Sequence, residues 1–77
     1  MKELTTFIVK SIIGTEDFSI STEEADDRIT IYVVVPQTLI GLLIGKEGKT
    51  IKNIRRILSI LATKENKVVA INITEQV

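Results

Sequence analysis

The sequence predicts a small two-layer α+β domain with the element order helix, strand, strand, helix, helix, strand. Two periodicities support this prediction, since apolar residues recur at helical spacing in three segments and alternate with polar residues in three others. The composition of the 77 residues, with 44% hydrophobic and 26% charged side chains, is that of one folded domain. We therefore expect a single domain over residues 1–77, with a three-stranded mixed sheet and three helices on one face.

The first half of the chain predicts one helix and two strands. Residues 2–13 place apolar side chains at helical spacing, and Gly14 is a natural stop for that helix. Residues 18–21 alternate and predict a short, half-buried strand. The acidic run 23–27 predicts a solvated turn, for which a metal site is the weaker alternative. In residues 29–35 the odd-numbered side chains are apolar and lie on one side of a strand.

The second half predicts two helices and a last strand. Pro36 ends the preceding strand and suits the first turn of a short apolar helix over residues 37–44. Residues 49–62 predict a two-sided helix that Asn66 closes, and residues 69–74 alternate again. The predicted apolar arc of the two-sided helix contains Ile51, Ile54, Ile57, Leu58 and Leu61.

The connections predict how the strands pair. A short turn joins the first two strands, so they should pair antiparallel. A helical crossover joins the last two, so they should run parallel if adjacent, with a right-handed connection.

The absence of cysteine and histidine removes several classes of chemistry. Disulfides, zinc-finger spacing, thiol nucleophiles and Ser-His-Asp triads are excluded. We expect no catalytic residue, no metal and no cofactor, and hence not an enzyme. The longest apolar stretch, residues 39–45, is far short of the ~20 residues of a membrane-spanning helix. We expect a cytoplasmic protein without membrane contact.

The net charge of zero hides an uneven distribution along the chain. Residues 1–40 carry three basic against seven acidic side chains, a net −4, and residues 41–77 carry seven against three, a net +4. This asymmetry favours a polyanion-binding surface in the second half, although helices also carry charges simply to stay solvated.

The most informative segment is Gly45-Lys46-Glu47-Gly48, which interrupts the helical pattern. A phosphate-binding P-loop would require glycine at position 43, which is leucine, and the glycine spacing does not match a dinucleotide-binding loop. A helix–Gly-x-x-Gly–helix unit fits. Its glycines leave room for a ligand beside the backbone, and the free amides at the start of the next helix favour an anion. This arrangement predicts a clamp for a phosphate backbone.

The run from Ile44 to Ile51 resembles the signature of KH domains, whose GxxG loop clamps about four nucleotides of a single strand. The element order resembles the type II arrangement. Over the whole chain, the length, the Pro36 entry, the run from Gly41 to Ile51 and the pair Ile54-Arg55 resemble the KhpA family of small bacterial single-KH proteins.

The resemblance implies binding of single-stranded RNA, self-dimerisation and pairing with a larger KhpB-type KH protein. It also implies a link to cell elongation and division. The RNA-binding residues expected from the loop and the following helix are Ile44, Gly45, Lys46, Glu47, Gly48, Lys49, Lys52 and Arg55. Ile44 is equally compatible with the edge of the core, and residues 68–71 are expected to form the opposite wall of the groove.

The chain departs from the family pattern at three positions. Leu42 replaces a basic residue, Leu39 replaces an acidic one, and Glu47 repels phosphate. Leu42 and Glu47 favour an alternative function, a protein–protein assembly module with weak or no RNA binding of its own.

Two further expectations concern exposed and buried side chains. Phe7 and Phe18 are predicted in the core, which leaves Tyr32 and no aromatic platform for stacking bases. Ile57 and Ile60 lie at the shoulder of the apolar arc and opposite to it. They are candidate dimer contacts, although single apolar residues on a surface are common.

Overall fold

The computed structural model describes residues 1–76. The predicted order of elements is confirmed, with a short 3₁₀ turn between the second and third helices. The elements are α1 (Lys2–Ile13), β1 (Ser19–Glu24), β2 (Arg28–Val35), α2 (Gln37–Ile44), the 3₁₀ turn (Lys46–Gly48), α3 (Lys49–Thr63) and β3 (Val68–Glu75).

The sheet has the order β1-β2-β3, with β1 antiparallel and β3 parallel to the central strand. Both pairings were expected from the lengths of the connections. The odd-numbered residues of β2 are buried against the helices, and the even-numbered ones lie on the other face. The three helices therefore cover one face of the sheet, as the alternation predicts.

The core lies between this sheet face and the helices. It contains Val9, Ile13, Ile20, Ile29, Ile31, Val33, Val35, Leu43, Ile54, Leu58, Ala62 and Val69. One polar side chain, Thr5, is also buried, and its hydroxyl donates to the carbonyl oxygen of Met1 at 2.8 Å. This hydrogen bond removes the cost of burying the hydroxyl.

Helix ends follow the predicted signals. Gly14 ends α1 in the left-handed conformation, with φ at 73°, as glycine permits. Asn66 also adopts positive φ at 59°, and the amide of Lys67 donates to the carbonyl of Ala62 at 3.0 Å. The amide of Asn66 donates to Thr63 at 3.0 Å, which completes a Schellman closure of α3.

Four local predictions need correction. The first strand begins at Ser19 and includes Glu23 and Glu24, so the acidic turn is shorter than expected. Strand pairing with β2 outweighs the polarity of those two residues, since both side chains stay exposed. Pro36 is extended and precedes α2 instead of entering its first turn. Phe7 is 69% exposed and lies outside the core, because α1 buries the face of Thr5 and Val9.

The fourth correction concerns the apolar arc of α3. Its buried residues are Ile54, Leu58 and Ala62, whereas Ile57 and Leu61 are exposed. The buried face is therefore centred on Leu58, and the small Ala62 lies where α3 packs on the sheet. Helical periodicity alone does not distinguish the middle of an apolar arc from its edge.

Candidate nucleic-acid interface

A sharp bend separates α2 from α3. The amide of Gly45 donates to the carbonyl of Gly41 at 2.9 Å and ends α2, and the amide of Gly48 donates to Gly45 at 3.2 Å within the 3₁₀ turn. The side chains of Lys46 and Glu47 are exposed, and neither helix continues through the bend. The backbone of this turn is therefore open to a ligand.

The two glycines are needed for different reasons. Gly45 has φ 74° and ψ 174°, a region that essentially only glycine occupies. A Cβ atom at Gly45 would also lie 2.6 Å from Cβ of Thr50 and 2.8 Å from its backbone nitrogen. Gly48 is left-handed, with φ 76° and ψ 14°, but a Cβ there would meet nothing within 4 Å. Close approach thus constrains Gly45, and backbone conformation constrains both.

Glu47 is the unusual residue of the turn. It adopts φ 56° and ψ 26°, which is left-handed backbone at a residue with a side chain. Its carboxylate is exposed in the turn directly before the start of α3. Glu47 therefore adds local backbone strain and a negative charge at the position where a phosphate would be favoured.

The start of α3 has no side-chain cap, because Gly48 stands at the capping position. Of the four amides at this end, that of Gly48 donates to Gly45 and that of Lys49 donates to Lys46. The amides of Thr50 and Ile51 remain for an acceptor outside the helix. Together with the helix dipole they make this end attractive to an oxyanion.

Basic side chains surround this helix end without acidic partners. Among residues 1–76, the ion pairs are Lys10–Glu16 at 2.6 Å and Lys67–Glu24 at 3.2 Å, both away from the turn. The exposed cations of the turn and of α3 that form no ion pair are Lys46, Lys49, Lys52, Arg55 and Arg56. Their charge is available to an external anion.

The surface of α3 has two different flanks on either side of its buried stripe. At about 100° per residue, Lys52 and Arg55 lie on one side of Leu58. Ile57 and Leu61 lie on the other side, and both are exposed. One helix therefore presents a basic flank and an apolar flank that face different directions.

The free edge of β3 is a feature that the side-chain pattern does not reveal. The amide of Val68 donates to Asp27 at 2.9 Å and that of Gln76 donates to Val35 at 2.8 Å, so even-numbered amides point toward β2. The odd-numbered amides from Val69 to Ile73 then point outward. The expected wall over residues 68–71 thus offers backbone donors and acceptors, and only the strand order in the sheet reveals this.

The predicted residues form one continuous surface only in part. Ile44 to Lys49 are contiguous, and Lys52 and Arg55 follow one and two turns along α3. Ile44 is 40% exposed and borders the bend. Ile60 is exposed, as a residue opposite the apolar arc should be, and Ile57 is exposed although that arc included it; both lie on the later half of the helix. Residues 1–76 contain no enclosed pocket, so any groove beside Ile44 is shallow.

Other kinds of site find little support in the part of the chain that the structure describes. No group of three or more acidic side chains among residues 1–76 is placed to hold a metal ion. No helix in that range is both long and apolar enough to cross a membrane. The bend and the start of α3 are therefore the candidate site.

A mixed three-stranded sheet, a βααβ crossover and a GxxG turn between the two crossover helices define a KH domain of type II. A family model described as "KhpA/KhpB, KH domain" matches residues 2–73. The chain belongs to this family.

Curated relatives have nearly the same length as this chain. The RNA-binding protein KhpA of Chlamydia trachomatis is 35% identical over 77 residues, which covers 99% of each chain. The protein of that name from Clostridium perfringens is 35% identical, over 95% of this chain and 99% of its own. The one from Listeria monocytogenes is 34% identical, over 97% of this chain and all of its own. No solved structure matched significantly.

Proposed function

We propose that this protein binds single-stranded RNA, with the turn Gly45–Gly48 and the start of α3 holding the phosphate backbone. The observation that carries the proposal is the uncapped start of α3 behind an exposed glycine turn, surrounded by cations that pair with no acidic side chain among residues 1–76. The printed names of the curated relatives, which describe RNA-binding proteins, support it.

The backbone amides of Thr50 and Ile51 would donate hydrogen bonds to a phosphate oxygen. Gly45 places no side chain against the amide of Thr50, where a Cβ would lie 2.8 Å from the nitrogen, and this allows close approach of a sugar–phosphate chain. Backbone amides do not discriminate between bases, so this contact fixes the position of the strand and leaves its sequence unread.

Lys46 and Lys49 add positive charge beside the phosphate, and Lys52 and Arg55 extend the basic track along one flank of α3. Ile44 and the outward backbone groups of β3 border the path of the bases. Since the described residues contain no enclosed pocket and no aromatic platform, each domain should bind RNA weakly.

The test is RNA binding by Lys46→Asp combined with Glu47→Asp, measured by fluorescence anisotropy with a labelled single-stranded oligonucleotide at two salt concentrations. We expect at least a tenfold loss of affinity, because a cation beside the phosphate becomes an anion, together with a smaller salt dependence.

The matched control is Lys2→Asp on α1, which makes the same change of charge far along the chain from the turn. Circular dichroism confirms that each variant is folded. A folded double variant that binds as tightly as the wild type would remove the turn from the mechanism.

A dimer is part of the proposal. Ile57 and Ile60 are 47% and 60% exposed and lie near the exposed Leu61 on α3, and a cluster of exposed apolar side chains is typical of a protein–protein contact. Burying it against a second copy would stabilise a small domain. A KhpB-type KH protein is the other partner we propose, and the shared name of the matching family model supports it.

The dimer surface is tested by Ile60→Asp, with Val68→Asp as control. Val68 is 63% exposed on the opposite face of the sheet. Analytical ultracentrifugation should give a folded monomer for the first variant and a dimer for the second. A dimer that survives both Ile57→Asp and Ile60→Asp would exclude this surface.

The second candidate function is an assembly module with weak or no RNA binding of its own. The exposed Leu42 beside the turn and the carboxylate of Glu47 within it favour this alternative. The same anisotropy experiment distinguishes the two, since any weak RNA affinity of an assembly module would not fall in Lys46→Asp combined with Glu47→Asp.

A further inference from the structure

The exposed surface of α3 changes character along its length. Its first two turns carry the free cations from Lys49 to Arg56, and its last two turns carry the exposed Ile57, Ile60 and Leu61. The proposed RNA surface and the proposed dimer surface therefore occupy different halves and different flanks of one helix. A second copy bound on the apolar half would leave the Gly45–Gly48 turn, at the other end of α3, uncovered.

The charge distribution selects one orientation of the second copy. The late end of α3 lies at the same end of the molecule as the acidic β1–β2 turn, because the amide of Val68 donates to Asp27 and Lys67 pairs with Glu24. Antiparallel α3 helices would place the cationic half of each copy beside the acidic end of the other. Parallel helices would place cations beside cations, which costs energy.

The antiparallel orientation fixes the separation of the two glycine turns. Gly48 precedes Ile60 by twelve residues, which at 1.5 Å per residue is about 18 Å along the axis. If Ile60 lies near the two-fold axis, the two turns are roughly 35 Å apart and face opposite ends of the assembly.

We infer that the dimer is a bivalent RNA binder that prefers single strands long enough to reach both Gly45–Gly48 turns. This inference rests on the proposed function and adds a length requirement to it. One KH turn holds about four nucleotides, so a short oligonucleotide occupies one turn only. A strand that reaches both turns gains from the effective concentration of its second segment.

The experiment compares three probes with the wild-type dimer at one salt concentration. The first is a five-nucleotide RNA, and the others contain two copies of it joined by a polyethylene glycol spacer that is shorter or longer than the separation of the turns. The uncharged spacer does not bind the protein, so a probe with two RNA segments has only twice as many ways to occupy one turn as the single RNA. Without simultaneous binding at both turns, its affinity would therefore be at most twofold higher. We expect the long-spacer probe to bind about tenfold tighter or more, and the short-spacer probe to resemble the single RNA.

Ile60→Asp separates avidity from RNA affinity itself. We expect this variant to bind the five-nucleotide RNA as the wild type does and to lose the advantage of the long spacer. Phe7→Asp, which changes a 69% exposed apolar residue of α1 outside both proposed surfaces, should keep that advantage. Equal affinity of the wild type for all three probes would overturn the inference while leaving RNA binding intact, whereas no binding of any probe would overturn the proposed function.

The orientation has its own test. Asp26→Lys together with Asp27→Lys should weaken self-association several-fold at low salt and less at high salt, because the acidic end would lose its attraction for the partner's cations. The affinity of this double variant for the five-nucleotide RNA should not fall. Stronger self-association in this variant would contradict the antiparallel arrangement.

Discussion

The two exposed turns at opposite ends of the sheet differ in almost every physical respect. The β1–β2 turn closes with a hydrogen bond from the amide of Ala25 to the carbonyl of Arg28 at 2.8 Å, and its neighbours are acidic. The turn from Gly45 to Gly48 leaves backbone donors of α3 unused and is flanked by cations. Both turns close with a backbone hydrogen bond, but the second is followed by the start of a helix, whose first amides favour an anion, and the first is followed by a strand.

This difference explains why total charge is uninformative here. A chain with no net charge still has a cationic end and an acidic end, because α3 runs from one end of the sheet to the other and separates Lys46 and Lys49 from the acidic residues near the β1–β2 turn. A polyanion would be attracted to one end and repelled from the other, which orients it before contact.

The largest expected effect is a loss of folding stability when a glycine of the turn is substituted. Gly45→Ala should lower the free energy of unfolding by about 3 kcal/mol, since alanine would be strained at this φ and its methyl would overlap Thr50. Gly41→Ala is the matched control in α2, where nothing lies within 4 Å, and it should stabilise by about 0.5–1 kcal/mol. Urea denaturation measures both, and equal stability of the two variants would show that the turn relaxes around the methyl.

The next largest effect is a change in RNA affinity, which we expect for a substitution in the glycine turn and not for one in the β1–β2 turn. Glu47→Gln removes a negative charge beside the proposed phosphate site and should raise affinity by about threefold at low salt. Asp26→Asn removes the same charge at the other end and should leave affinity unchanged within error. Anisotropy titrations with one oligonucleotide compare them, and an equal gain in both variants would point to general attraction of RNA without a localised site.

A smaller effect concerns the ion pair that joins the acidic end to β3. Glu24→Gln removes the partner of Lys67, whose nitrogen lies 3.2 Å from the carboxylate, and should cost about 0.5 kcal/mol of stability. The cost should shrink in high salt. An effect above about 2 kcal/mol would mean that this pair is far more strongly coupled than an exposed pair should be.

The smallest expected effect is a pH dependence of folding stability that arises from Glu16, a residue in neither of the two turns. The hydrogen bond from Lys10, and then its charge, lower the pKa of Glu16 below its ordinary value. The stabilisation is therefore fully present above the ordinary pKa of glutamate and is lost as pH falls through the lowered pKa. Urea denaturation of the wild type and Glu16→Gln should show a small difference at neutral pH that vanishes in acid. A stability difference between the two proteins that grows as the pH falls would contradict a lowered pKa for Glu16.

Sequence periodicity predicted the fold because β2 alternates strictly between buried and less buried residues, the other two strands alternate over shorter stretches, and each helix has one apolar face. The predictions that were wrong concern residues at the edge of an apolar face or at the end of an element. Phe7 and Ile57 sit where the apolar pattern continues beyond the surface that the neighbouring elements cover, so hydrophobicity alone assigned Phe7 to the core and Ile57 to the apolar arc. Glu23 and Glu24 entered β1 because the partner residues in β2 were available.

The candidate site was predicted from the glycine spacing and the lysines beside it, since those residues are adjacent in the chain. The outward amides of β3 were not, because which edge of a strand is free depends on the order of strands in the sheet. The different roles of Gly45 and Gly48 also required the position of Thr50 relative to the turn.

By itself, the sequence determined the order of the elements, the interruption at residues 45–48 and the sign of charge in each half, all of which follow from local spacing and composition. Only the tertiary structure decided which apolar residues of α3 stay exposed and that its two flanks differ in chemistry. The physical reason is that burial depends on what packs against a residue, and the packing partners here come from distant parts of the chain.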